Sequence, residues 1–240
     1  MSPLLLIPAI FFTAGFVQGL TGFGAALVAM PLMAFIIDIK LAVPICTLCG
    51  LFININMTLK LRKSLDWAKI IPLIAGCIPG SIFGTLVLKE VNGYYIRLFL
   101  GILVTAFSGY SLLAKPVRLN LNNKWGYLPG FLTGAIGSAV SAGGPPSIIY
   151  TSIQGWSKES IKATLVSFFL FSGTMAASGH LISGLTTFYA FKIFLASALP
   201  IFVGTNLGNS LSTHISDNFY RRIVMLLLVI MGLMLIFQNV

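Results

Sequence analysis

Residues 1–37 read MSPLLLIPAIFFTAGFVQGLTGFGAALVAMPLMAFII and carry no charged side chain. One straight helix of this length would be about 55 Å long, whereas the hydrocarbon core of a bilayer is about 30 Å thick. Gly19, Gly22 and Gly24 interrupt the apolar run near its middle, and Pro31 follows. The stretch therefore predicts two membrane-embedded helices that are joined by a break.

The rest of the chain has the same character. Only 8% of its 240 residues are charged and 57% are hydrophobic, whereas about a quarter of the residues in a soluble domain are charged. Runs without Asp, Glu, Lys or Arg span 41–59, 70–88, 98–114, 125–157, 163–191 and 223–240. We therefore predict an all-α polytopic membrane protein with about ten helical segments, at 3–20, 23–37, 42–60, 67–88, 95–114, 126–140, 144–155, 160–183, 186–208 and 219–238.

Glycine and proline patterns occur twice along the chain. A first set recurs 115 residues later and a second set recurs 128 residues later, the pairs being Gly15/Gly130, Gly19/Gly134 and Gly22/Gly137, then Pro72/Pro200, Gly76/Gly204 and Gly80/Gly208. This pattern indicates a duplication, with a first repeat at 1–114, a cytoplasmic linker at 115–125 and a second repeat at 126–240. The second set, with glycines four residues apart, is typical of close helix packing.

The positive charges predict the topology. The net charge is +10, but the basic residues lie in short connectors, so they indicate orientation and not a nucleic-acid partner. If the connector that holds Lys60, Arg62, Lys63 and Lys69 is cytoplasmic, eleven of the fifteen positive charges lie inside and both termini lie outside. Each half then crosses an odd number of times, which makes the repeats inverted, as in many secondary transporters. A bacterial inner membrane is the expected location.

The breaks at Gly19–Pro31 and Gly134–Pro146 occupy corresponding positions in the two halves. Unwound backbone is tolerated inside a membrane only where protein or a watery cavity surrounds it, so paired breaks point to a binding site near the midplane. The helices that start near Phe23 and Pro145 would direct N–H groups there, which favours an anion. Close helix packing is the alternative explanation. The predicted substrate-binding residues are Gln18, Thr21, Gly22, Phe23, Gly24, Asn54, Ser141, Gly143, Gly144 and Pro145.

The sequence resembles the sulfite exporter TauE/SafE family of membrane permeases. The resemblance rests on Gly15-Phe-Val-Gln-Gly-Leu-Thr-Gly-Phe-Gly-Ala-Ala with Met30-Pro31, on Gly143-Gly-Pro-Pro, and on the glycine–proline pattern that starts at Pro72 and again at Pro200. It covers essentially the whole chain. It implies transport of sulfite, of sulfonates such as sulfoacetate, or of related small anions by two inverted repeats.

A few polar residues lie apart from the breaks. Asn54 and Asn56 interrupt an apolar segment, and residues two apart do not share a helix face, so we expect at most one of them to face a cavity. Lys192 is flanked by apolar sequence and either neutralises an anion or extends to the membrane surface. His180 is expected in a solvated loop, and Gln154 is expected to face water.

Several alternatives remain open from the sequence. An anion channel is one, and an intramembrane enzyme is a weaker one, since neither a metal-ligand cluster nor a nucleophile with a base is evident; we predict no catalytic residue, metal or cofactor. The expected partners are a small anion and the lipid bilayer, and a glycine-rich face would serve a homodimer as readily as internal packing. Eight segments would be full spans if the opening pair of each repeat is re-entrant.

Overall fold

The computed structural model describes residues 3–113, 119, 121–212 and 217–237, and this part of the chain is helical with short connections. Its ten α-helices are α1 Pro3–Thr21, α2 Ala25–Ile36, α3 Ile39–Leu61, α4 Trp67–Glu90, α5 Gly93–Leu113, α6 Tyr127–Val140, α7 Gly144–Ser152, α8 Lys158–Ile182, α9 Phe188–Leu211 and α10 Asp217–Phe237. Every predicted segment corresponds to one helix, with ends that agree within three residues. Residues 115–118 and 120 of the predicted linker lie outside the described residues.

The lengths of the helices fit a bilayer. Helices α3, α4, α5, α8 and α9 are each long and apolar enough to cross a membrane. The connectors provide a polar N-cap for each of them: the side chain of Asp38 accepts from Lys40 N at the start of α3, and that of Asp66 accepts from Ala68 N at the start of α4. Asn92, Ser157 and Thr187 cap α5, α8 and α9 in the same way. A cap satisfies backbone donors that the first helical turn leaves unpaired. The prediction of an all-α polytopic membrane protein is confirmed.

Helix α4 packs directly on α6 through its glycines. A Cβ atom added to Gly76 would lie 2.0 Å from the carbonyl oxygen of Tyr127, and one added to Gly80 would lie 2.1 Å from that of Phe131. No side chain fits at such distances, so the two backbones touch. This contact confirms the packing interpretation of the glycine pattern in α4.

Helix α9 packs on α1 in the same way. A Cβ atom added to Gly204 would lie 2.3 Å from the carbonyl oxygen of Phe12, and one added to Gly208 would lie 2.2 Å from that of Phe16. Adding 128 to the α4 residue numbers 76 and 80 gives 204 and 208 in α9, and subtracting 115 from the α6 residue numbers 127 and 131 gives 12 and 16 in α1. The contacts between α4 and α6 therefore recur between α9 and α1. The two sequence offsets therefore relate two equivalent interfaces, each between one half and the other.

The equivalent helices α1 and α6 run in opposite directions. Lys69 Nζ donates to Ser160 Oγ at 2.9 Å, and Asn123 Nδ2 donates to the Ala68 carbonyl at 3.3 Å, so α4, α6 and α8 all begin at one end of the molecule, here called the basic end. Helix α9 follows α8 after a short loop and begins at the opposite end. Because α1 lies parallel to α9, it also begins there, and the two repeats are inverted.

Both breaks are sharp reversals of the chain. A Cβ atom added to Gly143 would lie 2.3 Å from Thr133 O and 2.6 Å from Gly137 N, although ten residues of continuous helix would separate Thr133 from Gly143 by about 15 Å. In the first half the backbone N–H of Ala25 reaches back to the side chain of Gln18. The opening pair of each half is thus a helical hairpin, with α2 and α7, of 12 and 9 residues, as its short arms.

Candidate functional site

The two hairpins and helices α3 and α8 line one cavity, here called the central cavity, with a volume of about 90 Å³. Holding one water requires about 10–15 Å³ by the same measure, so the cavity has room for several waters or a small polyatomic ion. Both halves contribute to its wall. Polar side chains of the wall are Gln18, Thr47, Asn54, Thr133, Ser141 and Ser172.

A relay of amide groups fixes the orientation of Asn54. The N–H of Ala25 can only donate, and it donates to Gln18 Oε1 at 3.3 Å. The other end of that amide, Gln18 Nε2, must then donate, and it donates to Asn54 Oδ1 at 2.7 Å. Asn54 Nδ2 is left with two N–H groups and no hydrogen-bond partner among the described residues. The relay thus presents hydrogen-bond donors to the central cavity.

The second break is joined to α3 by hydroxyl groups. Ser141 follows the last turn of α6 in the left-handed region, with φ 55°, and its N–H donates to Gly137 O at 2.8 Å. Its Oγ lies 3.2 Å from Thr47 Oγ1, which also lies 2.9 Å from Val43 O. A side chain of the first half therefore holds the break of the second half beside the relay.

Backbone donors at the cavity come mainly from α2. Ala26 and Leu27 lie in its first turn and line the cavity, and N–H groups of a first turn have no partner within the helix. The first turn of α7 differs, because Pro145 and Pro146 have no N–H to donate. Helix α7 accordingly contributes fewer donors than the sequence-based prediction assumed.

The wall of the central cavity is electrically neutral. None of its described lining residues is Lys, Arg, His, Asp or Glu. Amide, hydroxyl and backbone N–H groups therefore supply its polarity, together with the positive end of the α2 dipole. Such a wall can bind an anion by hydrogen bonds without holding it as tightly as a buried cation would.

The structure brings six of the ten predicted substrate-binding residues to the central cavity. These six are Gln18, Gly24, Asn54, Ser141, Gly143 and Gly144. Gly24 has a φ of 98°, a backbone conformation that favours glycine, and it makes the turn into α2. Asn54 lines the cavity while Asn56 does not, in agreement with the expectation that at most one of the two would.

The other four predicted residues lie elsewhere. Thr21 and Phe23 line a second cavity of about 370 Å³ near the basic end, here called the basic vestibule. The hydroxyl of Thr21 lies 2.9 Å from Val17 O and 2.5 Å from Phe23 O, so it serves the backbone of its own break. Gly22 is buried and Pro145 is buried within α7, and neither lines the central cavity.

Lys192 is not at the central cavity. Its side chain is exposed, and Nζ lies 4.8 Å from the centre of the Phe188 ring on the outside of α9. The neighbouring residue Ile193 is the one that α9 buries in the protein. The position of Lys192 therefore does not support the prediction that it neutralises a bound anion. It agrees with the alternative prediction, in which the side chain extends to the membrane surface.

Several residues of the cavity wall were not among the predicted substrate-binding residues, and Thr133, Phe169 and Ser172 are three of them. Thr133 is buried and its Oγ1 has no hydrogen-bond partner among the described residues. Phe169 and Ser172 lie on α8, where the wall positions 169, 172, 173 and 176 follow one helix face. A spacing of three and four residues marks one face of a helix, so it could have identified these wall positions from the sequence. The wall residues Thr47, Gly50 and Asn54 on α3 have the same spacing.

Two predictions of exposure were wrong. His180 is fully buried and its Nε2 lies 2.7 Å from Ser138 O, so this nitrogen donates to the carbonyl. Ser138 lies in the last turn of α6, where carbonyl groups have no partner within the helix. Gln154 is only 2% exposed, because the connection after α7 folds against the protein.

Replacing His180 with leucine should destabilise the protein. The Ser138 carbonyl would lose its partner while it remains buried, which costs about 1–3 kcal/mol and corresponds to a Tm lower by about 2–10 °C. Thermal unfolding of the purified protein in detergent measures this change. Leu181→Ala is the matched control, because Leu181 is 66% exposed and its loss should leave Tm nearly unchanged. An unaltered Tm in His180→Leu would contradict the capping role.

A comparison with protein families identifies the chain. The family model described as Sulfite exporter TauE/SafE matches residues 7–235. The chain belongs to the TauE/SafE family. This TauE/SafE protein is therefore a multi-pass membrane protein of a transporter family, as its sequence motifs and its apolar helices predicted. Neither the curated proteins nor the solved structures gave a match.

Proposed function

We propose that the protein is a secondary transporter for a small sulfur-containing or organic anion, such as sulfite or a sulfonate like sulfoacetate. The central observation is the amide relay that leaves Asn54 Nδ2 as an unpaired donor at a neutral cavity between two chain reversals. Hydrogen bonds to an anion are stronger than those between neutral groups. Family membership supports the choice of a sulfur oxyanion.

A neutral site suits transport better than a charged one. A transported ion must bind well enough to enter and weakly enough to leave. Donors such as Asn54 Nδ2 and the N–H groups of Ala26 and Leu27 would replace part of the hydration shell of an oxyanion. The absence of a carboxylate among the described wall residues favours an anion over a cation or a zwitterion, since an ammonium group would find no charged partner there.

Alternating access is the mechanism that we propose. Helix α4 of the repeat 1–114 packs on α6 of the repeat 126–240, and α9 packs on α1 in the equivalent way. Each repeat supplies one hairpin to the central cavity. Rocking of the repeats about this cavity would expose it to each side of the membrane in turn. We place the basic end in the cytoplasm of a bacterial cell and both termini outside, because positive charges concentrate in cytoplasmic loops.

Thermal stabilisation by candidate anions tests the cargo. Purified protein is heated with sulfite, sulfate, thiosulfate, sulfoacetate, taurine or a simple carboxylate. A ligand at 100 times its Kd should stabilise the folded state by about 2.7 kcal/mol. Sulfite or sulfoacetate should raise Tm more than taurine does, because the ammonium group of taurine finds no acidic partner at the wall.

A counterflow measurement in liposomes distinguishes a carrier from an anion channel. A carrier takes up labelled sulfite against a gradient of unlabelled sulfite and saturates, whereas an anion channel conducts without counterflow. Saturable counterflow would support alternating access. Flux without it would favour the channel, and conversion of the anion into a different product would favour the enzyme.

A further inference from the structure

The second repeat places Thr133 at the position that Gln18 holds in the first repeat. The offset of 115 that relates α1 to α6 also relates these two residues, which follow Gly15 and Gly130 by three positions. Both residues are buried, and both line the central cavity. The relay residue Gln18 therefore has a structural counterpart in the other half of the protein.

The faces that α3 and α8 turn to the central cavity are also equivalent. Adding 122 to the wall positions 47, 50, 51 and 54 of α3 gives 169, 172, 173 and 176 of α8, which all line the cavity as well. One equivalent pair is in contact, since a Cβ atom added to Gly173 would lie 3.1 Å from Cδ2 of Leu51. The pseudo-two-fold axis of the inverted repeats thus passes between these two residues. The members of every other equivalent pair lie on opposite sides of that axis.

The two halves carry different polar groups at these positions. In the first half, Gln18 Nε2 donates to Asn54 Oδ1 at 2.7 Å. In the second half, the residue equivalent to Asn54 is Ala176, which has no polar side-chain atom. This difference explains why the buried Thr133 Oγ1 has no hydrogen-bond partner among the described residues. A ligand that bonds to this hydroxyl would relieve the cost of burying it unpaired.

We propose that Thr133 and the space beside Ala176 form a second half of the substrate site, which binds the tail of a short organosulfonate that carries an oxygen atom. The inference rests on the proposed transport of a sulfur-containing anion and names its class. The sulfonate group bonds to Asn54 Nδ2 on one side of the axis. The tail extends toward Gly173 and Ala176, two small residues that leave room for it, and its oxygen bonds to Thr133 Oγ1.

The size and chemistry of the central cavity fit such a ligand. Its volume of about 90 Å³ corresponds to about six waters, which is more room than a sulfonate group alone requires. A hydroxyl both donates and accepts, so Thr133 can pair with a hydroxyl or a carboxylate on the tail. Ser172 adds a second hydroxyl to this side, and its Oγ would lie 3.6 Å from a Cβ atom added to Gly137 of the second hairpin. Sulfite has no tail and reaches only the amide side.

Two sulfonates that differ by one hydroxyl test the second half of the site. Thermal stabilisation of the purified protein over a range of concentrations gives the Kd of 2-hydroxyethanesulfonate, ethanesulfonate and sulfite. The wild-type protein should bind 2-hydroxyethanesulfonate about fivefold more tightly than ethanesulfonate, which is the net contribution of one neutral hydrogen bond. In Thr133→Val, which keeps a similar shape and removes the hydroxyl, this preference should disappear. The Kd of sulfite should stay near the wild-type value.

Three further variants serve as controls. Thr164→Val should keep the preference, because Thr164 is also buried with an Oγ1 that has no partner among the described residues, yet it does not line the central cavity. Thr133→Ser should keep it too, because serine retains the hydroxyl. Ala176→Leu fills the space beside Thr133, so it should weaken binding of both sulfonates and leave the Kd of sulfite near the wild-type value.

Equal binding of the two sulfonates by the wild-type protein would overturn the inference, and this comparison needs no variant. A preference that survives in Thr133→Val would overturn it as well, as would loss of the preference in Thr164→Val. An equal loss of sulfite binding in Ala176→Leu would argue against a separate tail site and overturn it too. Absence of binding of sulfite and of both sulfonates would instead refute the proposed function, so the two failures are distinguishable.

Discussion

Replacing Asn54 with leucine is expected to lower kcat/KM for sulfite transport about 100-fold. The substitution removes Nδ2, the donor that the relay directs to the central cavity, and it leaves Gln18 Nε2 without an acceptor. A hydrogen bond to a charged group contributes about 1.5–3 kcal/mol, and 1.4 kcal/mol corresponds to a factor of ten. Counterflow of labelled sulfite in liposomes, measured over a range of concentrations, gives kcat/KM.

Asn54→Asp sharpens the same prediction. The carboxylate can still accept the hydrogen bond from Gln18, so the relay remains, but it offers no N–H and adds a negative charge beside the bound anion. Transport should fall at least as far as in the leucine variant. Asn56→Leu is the matched control, since it lies two residues along α3 and outside the cavity wall. Sulfite transport that survives both Asn54 substitutions would end the proposal.

Gly143→Ala is expected to prevent the second hairpin from forming correctly. The new Cβ would lie 2.3 Å from Thr133 O and 2.6 Å from Gly137 N, and both are backbone atoms of α6 that cannot move alone. Overpacking of this kind costs about 1–3 kcal/mol and occasionally more, so Tm should fall by about 2–10 °C or more, or the protein should not be recovered in monodisperse form.

Gly144→Ala is the informative neighbour of that variant. Its nearest contact would be 3.0 Å to Cδ1 of Ile148, the end of a flexible side chain, so the fold should accept it. Gly144 lines the central cavity, and a methyl group there would occupy part of a volume of only about 90 Å³. We therefore expect near-normal Tm with reduced transport. A similar Tm for both variants would show that the close approach at Gly143 is not required for stability.

The helices were predictable because bilayer thickness and charge act on each segment separately. An uncharged run such as 70–88 must be helical in lipid, and polar connectors must follow it. The duplication was also readable, because glycines that touch a neighbouring backbone tolerate no replacement and so leave a matched pattern, as Gly76 and Gly204 do. The breaks were located for a related reason: glycine and proline mark backbone that leaves the helix.

The composition of the site was only partly predictable. Asn54 was identified because an amide is unusual in an apolar helix, whereas Thr133 resembles the many threonines that pack between helices. Lys192 attracted attention through its apolar neighbours, but the rotation of α9 places it outside, and no periodicity in that helix showed which face was buried. His180 lies in the last turn of the predicted segment 160–183 and was expected to be solvated because an outer loop follows; its burial depends on its contact with Ser138 of α6.

The sequence by itself determined that the chain is a membrane protein of two related halves with two interrupted helices, since hydrophobicity, charge placement and glycine spacing are properties of local sequence. Only the tertiary structure decided that the interruptions are hairpins, that Gln18 orients Asn54, and that Thr21 and Phe23 lie at a separate vestibule. These features depend on contacts between residues far apart in sequence, as between Gln18 and Asn54. Such contacts are set by how helices rotate and cross when they pack.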